Sequence, residues 1–334
     1  MKCVLDIRST DRLLVIVPHP DDETLASGLL IQRALHVGAA LHVIIATDGD
    51  NNPWPQRWIE RRWIIDDVAQ RRWGARRRLE ARSALQALGV SFDAISHLGW
   101  PDGGLTDGLL GGSDLTHAVV AEINDFAPTH VIVPVLHDHH PDHSALRVIV
   151  ELALHQSRYP DCARLGFLVH GASISGQSVI IERDAQLQER KERALDAHTT
   201  QMRLSAGRMR GIARRDELFE RGLQANRIAD SVAEIEVAAR GFWSRDSELL
   251  FIGEAGRSIT TRRIPLPRDR SDRALTDIAR ITGLALSFAA NQWRLDWRAL
   301  AQFDRVWIKV QDKGARLIIY DKDGWHAFIP ERSI

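Results

Sequence analysis

The sequence predicts an α/β protein: a mostly parallel sheet with helices on both faces, followed by a small C-terminal α+β module. Three observations carry this. Short continuous apolar runs rich in Val and Ile recur through the first 200 residues, separated by stretches of helical period, the pattern of parallel strands buried on both faces. Dense groups of His and Asp follow two of those runs directly, where open α/β sheets keep their ligands. The last third changes to closely spaced strand-like runs with Gly-containing turns between them.

Taken in order, Leu13–Val17 reads as the first strand, Glu23–Leu35 as a helix and Leu41–Thr47 as the second strand. Arg76–Leu88 has helical spacing, with Gly89 placed to end it. Asp93–Leu98 is the third strand, Thr129–Val135 the fourth, Ser144–His155 a helix, Gly166–His170 the fifth strand and Ala185–His198 a helix. This strand–helix alternation is Rossmann-like. No G-x-G-x-x-G follows the first strand, which argues against a dinucleotide site. Further on, a helical pattern covers Asp272–Ala290, and VWIKV, RLIIYD and WHAFIP are strand-like runs separated by the hairpin signals QDKGA and KDG. The expected domains are 1–205 and 206–334, the boundary falling in the stretch Met202–Gly222.

Composition narrows the function classes. The 44 Lys+Arg balance 44 Asp+Glu, so a global nucleic-acid binder is excluded. Cys3 and Cys162 are too few and too far apart for a disulfide framework or a CxxC zinc knuckle, and any metal must be held by His and carboxylates. No run reaches the ~18 apolar residues of a membrane span. The charged N-terminus has no secretory pattern, and the expectation is a cytoplasmic protein, with peripheral membrane contact open.

Two constellations carry the chemistry. Pro18-His19-Pro20-Asp21-Asp22-Glu23 follows the first strand, and His19 and Asp22 are spaced to converge on one ion with Asp21 left free. The same residues would also suit a helix cap. His137-Asp138-His139-His140-Pro141-Asp142-His143 follows the fourth strand and packs four of the chain's 14 His into seven residues, where random scatter would put well under one. Two His and one Asp with open positions make a catalytic metal arrangement, whereas structural zinc sites are closed.

With PHPDDE after the first strand and HPDH after the fourth, the chain resembles the LmbE/PIG-L-like deacetylases. Thr47-Asp48-Gly49-Asp50, Arg77 and Glu80, Pro101-Asp102-Gly103, Lys191 and His198-Thr199-Thr200-Gln201 agree in order. Asp50 departs, standing where the family usually carries Glu. The resemblance covers about residues 10–205 and implies removal of an N-acetyl group from an acetamido sugar or glycoconjugate. It further implies a zinc ion, or Fe2+ or another divalent metal, on His19, Asp22 and His143. Asp21 is then the general base, His140 the oxyanion stabiliser, and Asp142 the group that orients and charges His140. Arg77, Asp102 and His198 are expected to line the substrate site. An amidase cleaving a larger acyl group, and a non-catalytic glycan-binding or regulatory protein on the same scaffold, are the alternatives.

Three features stand outside this scheme. His137, Asp138 and His139 are expected to shape the loop or its rim. Gly103-Gly104 and Gly108–Gly112 suggest a flexible loop near the site. The tract from Trp54 to Arg78 holds four Trp and eight Arg against three acidic residues. It reads either as a helix with packed Trp and solvated Arg or as a site wall in which Arg57 and Arg61 bind an anionic sugar conjugate, with interfacial membrane contact as a third use.

Overall fold

The computed structural model describes residues 3–174, 176–228, 232–235, 247–266, 286–289, 292–296, 302–312, 320–321 and 324–330. They fall into two compact units, one of Met1–Asp107 with Leu115–Leu223, the other of Gly108–Asp114 with Gln224–Ile334.

The first unit is an eight-stranded sheet. In chain order the elements up to residue 223 are β1 (Cys3–Val4), β2 (Arg12–Val17), α1 (Asp22–His36), β3 (Ala40–Thr47), α2 (Pro53–Glu60), α3 (Asp67–Leu88), β4 (Ile95–Trp100), α4 (Leu105–Gly111), which runs from the first unit into residues of the second, α5 (Asp114–Phe126), β5 (His130–Pro134), α6 (Pro141–Gln156), β6 (Ala163–Phe167), β7 (Ser178–Ile180), α7 (Ala185–Asp196), α8 (Thr199–Ala213) and β8 (Leu218–Arg221). The strand order is β1-β7-β8-β6-β5-β2-β3-β4. Strands β6, β5, β2, β3 and β4 run parallel, and β8 joins antiparallel to β6 and β7. Among the five parallel strands, the chain starts at β2, winds outward to β4, then returns to the other side of β2 as β5. The crevice between β2 and β5 is therefore the switch point at which such sheets bind ligands.

Leu13–Val17 of β2 and Val43–Ala46 of β3 are at most 1% exposed, because helices cover both faces. Helix α6 is buried from Asp142 through Leu154, and its Arg147 is satisfied internally by Glu151 at 2.9 Å and by the carbonyl of Gly222 at 2.6 Å. In mid-α1 the backbone N–H groups of Leu29 and Leu30 donate to the Glu217 carboxylate at 2.7 and 2.9 Å, and Glu217 also takes Lys191 Nζ at 2.6 Å. That ties the helix after β2 to the strand end at β8.

Several expectations change. Helix α3 starts at Asp67, not 76, because Asp66 accepts the Ala69 N–H at 2.8 Å as its N-cap; its end at Gly89 is as read, with φ 99°. The Gly-rich run is a helix over Leu105–Gly111, anchored by buried Leu105 and Leu109. A division at 205 falls inside α8, and β8 completes the sheet beyond it.

Beyond residue 224 the described part of the second unit is all β: β9 (Ala225–Ile228), β10 (Val232–Ile235), β11 (Ser247–Ala255), β12 (Ser258–Leu266), β13 (Leu286–Ala289), β14 (Gln292–Asp296), β15 (Arg305–Asp312) and β16 (His326–Pro330). They form sheets of order β10-β14-β13 and β12-β11-β15-β16-β9. VWIKV and WHAFIP are in β15 and β16, which pair antiparallel. The run RLIIYD and both hairpin turns lie largely outside the described residues. So does most of the helix expected over 272–290, and its end, Leu286–Ala289, is instead a strand paired with β14.

Candidate metal centre

The two His/Asp clusters leave the carboxyl ends of adjacent strands, β2 and β5. His19 and Asp21 sit in the turn between β2 and α1, and Asp22 opens α1. The second cluster is itself a helix start: His140 is the N-cap of α6, accepting the Asp142 N–H on Nδ1 at 3.2 Å, and Pro141 takes the first position, where its missing N–H costs nothing. His143 then projects from the first turn.

His143 Nε2 lies 3.1 Å from Asp22 Oδ2, and His19 Nδ1 lies 3.2 Å from the same oxygen. Two atoms each about 2.1 Å from one ion stand roughly 3.0–3.4 Å apart, so each imidazole is spaced from Asp22 as two ligands of one cation are, while no group of ligand atoms within 4.8 Å of one another, among the described residues, holds His19, Asp22 and His143 together. Both ring nitrogens of His143 are buried without a well-aligned hydrogen bond; Nδ1 faces Asp138, and Nε2, facing Asp22, is the atom suited to a cation. Ligand atoms of His19, His140 and His143 lie within 4.8 Å of one another, as do those of Asp22, His143 and His170, and those of His19, Asp102 and Asp142. Chemically the donor set fits a divalent metal.

The electrostatics follow from four carboxylates buried among imidazoles. Burial alone would lower His143, but Asp138 and Asp22 outweigh it and raise it to about 9. His19 is raised well above its ordinary value, Asp102, Asp142 and Asp22 overcoming the same burial. Asp22 is held well below the usual carboxylate range: His143 and His19 outweigh its desolvation. His140 moves the other way, well below 6.5, through burial and then its neighbours His19, His143 and His170.

Asp21 is 9% exposed with φ 133°, a backbone region that costs about 1–3 kcal/mol for a residue with a side chain. It is fixed from three directions. Its N–H donates to Glu23 Oε2 at 2.9 Å, Arg77 Nη2 lies 3.1 Å from its carboxylate, and the same guanidinium donates to the carbonyls of Pro20 and Gly49, each at 2.7 Å. Burial pushes Asp21 up to about 6 against the pull of Arg77. Gly49 has φ +61°, and a Cβ there would stand 1.9 Å from Arg77 Nη1, so only glycine lets the guanidinium reach.

The expected site residues have these partners. The Asp142 carboxylate accepts from Gly103 N at 2.6 Å and Leu105 N at 3.1 Å and lies 3.3 Å from His19 Nε2. As the second residue of a helix, Asp142 turns its side chain to the N–H groups just before and at the start of α4, and its backbone N–H meets His140 Nδ1. Asp102 lies 3.2 Å from His19 Nε2 and accepts from Asn51 N. Arg77 and His198 are 5% and 1% exposed, beneath the site surface; His198 Nε2 faces Glu23 Oε1 at 3.2 Å, supporting the carboxylate that holds Asp21. Arg57 stacks over Trp54 at 5.4 Å from the ring centroid, and Arg61 is the exposed αL cap of α2. Neither touches the His/Asp cluster among the described residues.

His137 and His139 are at the rim as expected, half-buried and exposed. Asp138 is not: fully buried, it accepts from the backbone N–H groups of His140, Val169 and His170 and faces His143 Nδ1 at 3.1 Å. A carboxylate behind a ligating imidazole orients it and raises its basicity. Nothing in the sequence singled out His170, whose ring centroid is 4.9 Å from that of His143, because it arrives from the end of β6.

The family model for PIG-L, GlcNAc-PI de-N-acetylase, matches residues 14–154. The 1D-myo-inositol 2-acetamido-2-deoxy-alpha-D-glucopyranoside deacetylase of Rhodococcus jostii (strain RHA1) is 33% identical over 175 residues, covering 46% of this chain and 58% of that protein. The enzyme of the same name from Mycobacterium tuberculosis (strain ATCC 25177 / H37Ra) is 34% identical over 156 residues, 40% of this chain and 48% of its own. The chain thus spans about half the length of the curated relatives it matches. The N,N'-diacetylchitobiose deacetylase from Pyrococcus horikoshii superposes with TM-score 0.50 at 20% identity, over 64% of this chain and 84% of that one, and so shares the fold. Over residues 14–154 the chain is thus similar to the PIG-L family.

Proposed function

We propose that the first unit is a metal-dependent hydrolase that removes the N-acetyl group from an acetamido sugar or glycoconjugate. The observation that carries this reading is that His19 and His143 both reach the Asp22 carboxylate, with Asp21 and His140 beside them, at the switch point between β2 and β5. The family match and the deacetylase names of the relatives support it.

In this reading His19, Asp22 and His143 hold the metal, with Asp138 orienting His143. Zinc is the assigned ion, and the same donors suit Fe(II). A bound divalent ion polarises the amide carbonyl and brings the pKa of water toward about 7. The chain's own residues move the protons. Asp21, steadied by Arg77 and the Glu23–His198 pair, takes the proton of the attacking water as its oxygen bonds to the carbonyl carbon. It returns that proton to the nitrogen as the C–N bond breaks, leaving acetate and a free amine. His140 accepts a backbone N–H on Nδ1, which leaves Nε2 to carry the hydrogen; it donates that hydrogen to the oxyanion as charge develops. No protonated imidazole is needed.

Acetate and amine release from a panel of N-acetylglucosaminides, with and without a chelator, tests the assignment. Release that the chelator abolishes and added metal restores is expected; a protein loaded with metal that deacetylates none of the panel would refute it.

A further inference from the structure

The face that α2 and the following turn present to solvent is the reverse of an ordinary surface helix. On α2 the buried side chain is polar: Gln56 is 0% exposed and its Nε2 donates to the carbonyl of Ala69 at 2.7 Å. Trp54 and Trp58, one helical turn apart, are 68% and 72% exposed, and beyond the helix Trp63, Ile64 and Val68 are 88%, 83% and 61% exposed. Among the described residues, these fifteen positions of chain carry five of the eleven exposed large apolar side chains and every exposed Trp. Trp73, in α3, is the one tryptophan of the tract that packs inside.

Cations interleave with the rings. Arg61, Arg62 and Arg71 are exposed and have no carboxylate partner among the described residues, while Arg72 is paired with Glu60. The one aromatic–cation contact within α2 is Arg57 over Trp54. Exposed large apolar side chains gathered this closely along the chain point to a binding face, whereas singly scattered ones do not. Its composition identifies the partner. Tryptophan with interspersed arginine is the pairing of the membrane interface, where indole rings sit at headgroup level and guanidinium groups meet phosphates. Two of the three exposed Trp are carried by a short helix whose fully buried side chain is Gln56 and which packs against α8, and the third by the turn after it. The rings therefore form an outward face.

We propose that α2 and the turn through Val68 form an interfacial docking surface for an anionic lipid bilayer. Trp54, Trp58, Trp63 and Ile64 enter the headgroup region, and Arg61, Arg62 and Arg71 pair with lipid phosphates. The connection carrying this surface leaves the carboxyl end of β3, next to β2 in the sheet. The proposal is independent of the reaction assigned above.

The test is co-sedimentation of the full chain with vesicles of phosphatidylcholine alone and of equal parts phosphatidylcholine and phosphatidylglycerol. Binding to the anionic vesicles is expected, with release near 1 M salt, where the screening length falls to about 3 Å. Each arginine near an anionic surface is worth roughly fivefold in partitioning, so Arg62→Gln/Arg71→Gln should bind more than tenfold more weakly. Trp58→Ser/Trp63→Ser should lose binding on both vesicle types. Both pairs alter exposed side chains, so the thermal unfolding midpoint and turnover of any water-soluble substrate should match the parent. Equal sedimentation with neutral and anionic vesicles, or unchanged binding by the tryptophan pair, would overturn the proposal. So would a parent that is dimeric in solution and made monomeric by Trp58→Ser/Trp63→Ser, because the face would then be a contact between copies.

Discussion

Replacing Arg77 by Ala isolates the part of the site that holds Asp21 in place. The side chain is 5% exposed and makes three contacts: the carbonyls of Gly49 and Pro20 at 2.7 Å each and the Asp21 carboxylate at 3.1 Å. Truncation leaves a buried carboxylate without its cation and two carbonyls without donors. Breaking a buried pair costs about 3–5 kcal/mol, and the carbonyls, worth about 1–3 kcal/mol each if left dry, overlap with that figure because water enters the vacated space. For a unit of this length roughly 2–4 °C is lost per kcal/mol, so calorimetry of the first unit should show its midpoint falling by about 6–20 °C. Arg77→Lys should recover part of this, since one ammonium cannot span three acceptors in a fork. Gly49→Ala should disturb the same contact, its Cβ falling 1.9 Å from Nη1. The double variant Gly49→Ala/Arg77→Ala should therefore cost less than the sum of the two. A loss below about 1 kcal/mol for Arg77→Ala, within the range of ordinary surface changes, or strict additivity of the pair, would refute the reasoning.

Three further outcomes are expected. Asp138→Asn, behind His143 at 3.1 Å, should weaken metal retention about 10–100-fold in a chelator competition; unchanged retention would separate Asp138 from the centre. Glu217→Ala should lower unfolding free energy by about 3–5 kcal/mol by stranding buried Lys191, and Glu217→Ala/Lys191→Met should restore much of it in denaturant titrations. In the second unit, a Cβ on Gly253 would stand 2.6–2.8 Å from three ring carbons of Phe303. Gly253→Ala should therefore cost roughly 1–3 kcal/mol of overpacking, relieved by a smaller residue at 303.

What the sequence made legible is what burial on both faces writes into it. Leu13–Val17 and Thr129–Val135 read as strands because each is nearly uninterrupted apolar chain, and both are central in the sheet. The clusters after them were legible because their chemistry is local: His19 and Asp22 are three residues apart, and His140 through His143 open one helix. Partners that tertiary contact supplies were not. Asp138 is five residues from His143, but its place behind that ring depends on how the turn at 138–140 folds onto Val169 and His170. The pairing of the Asp142 carboxylate with His140 came from the family resemblance, whereas the donors it meets, the N–H groups of Gly103 and Leu105, come from a distant loop. The glycines of 103–112 suggested a loop, and two buried leucines made a helix. Short apolar runs carry no decisive period, and Leu286–Ala289 fits a strand as well as the helix expected there. In the Trp/Arg tract composition gave the residue types without the face, since Gln56 rather than Trp54 or Trp58 turns inward.

The central claim is that the chain's own carboxylate, Asp21, moves the proton at a metal held by other residues. It is tested most directly by measuring bound metal and acetate release on the same sample of Asp21→Asn and of the parent. Asn is close in shape, cannot take a proton, and sits beside rather than among His19, Asp22 and His143. Metal content equal to that of the parent, with turnover lower by about 10²–10⁴, is the predicted result. Near-parental turnover at full metal content would contradict the account.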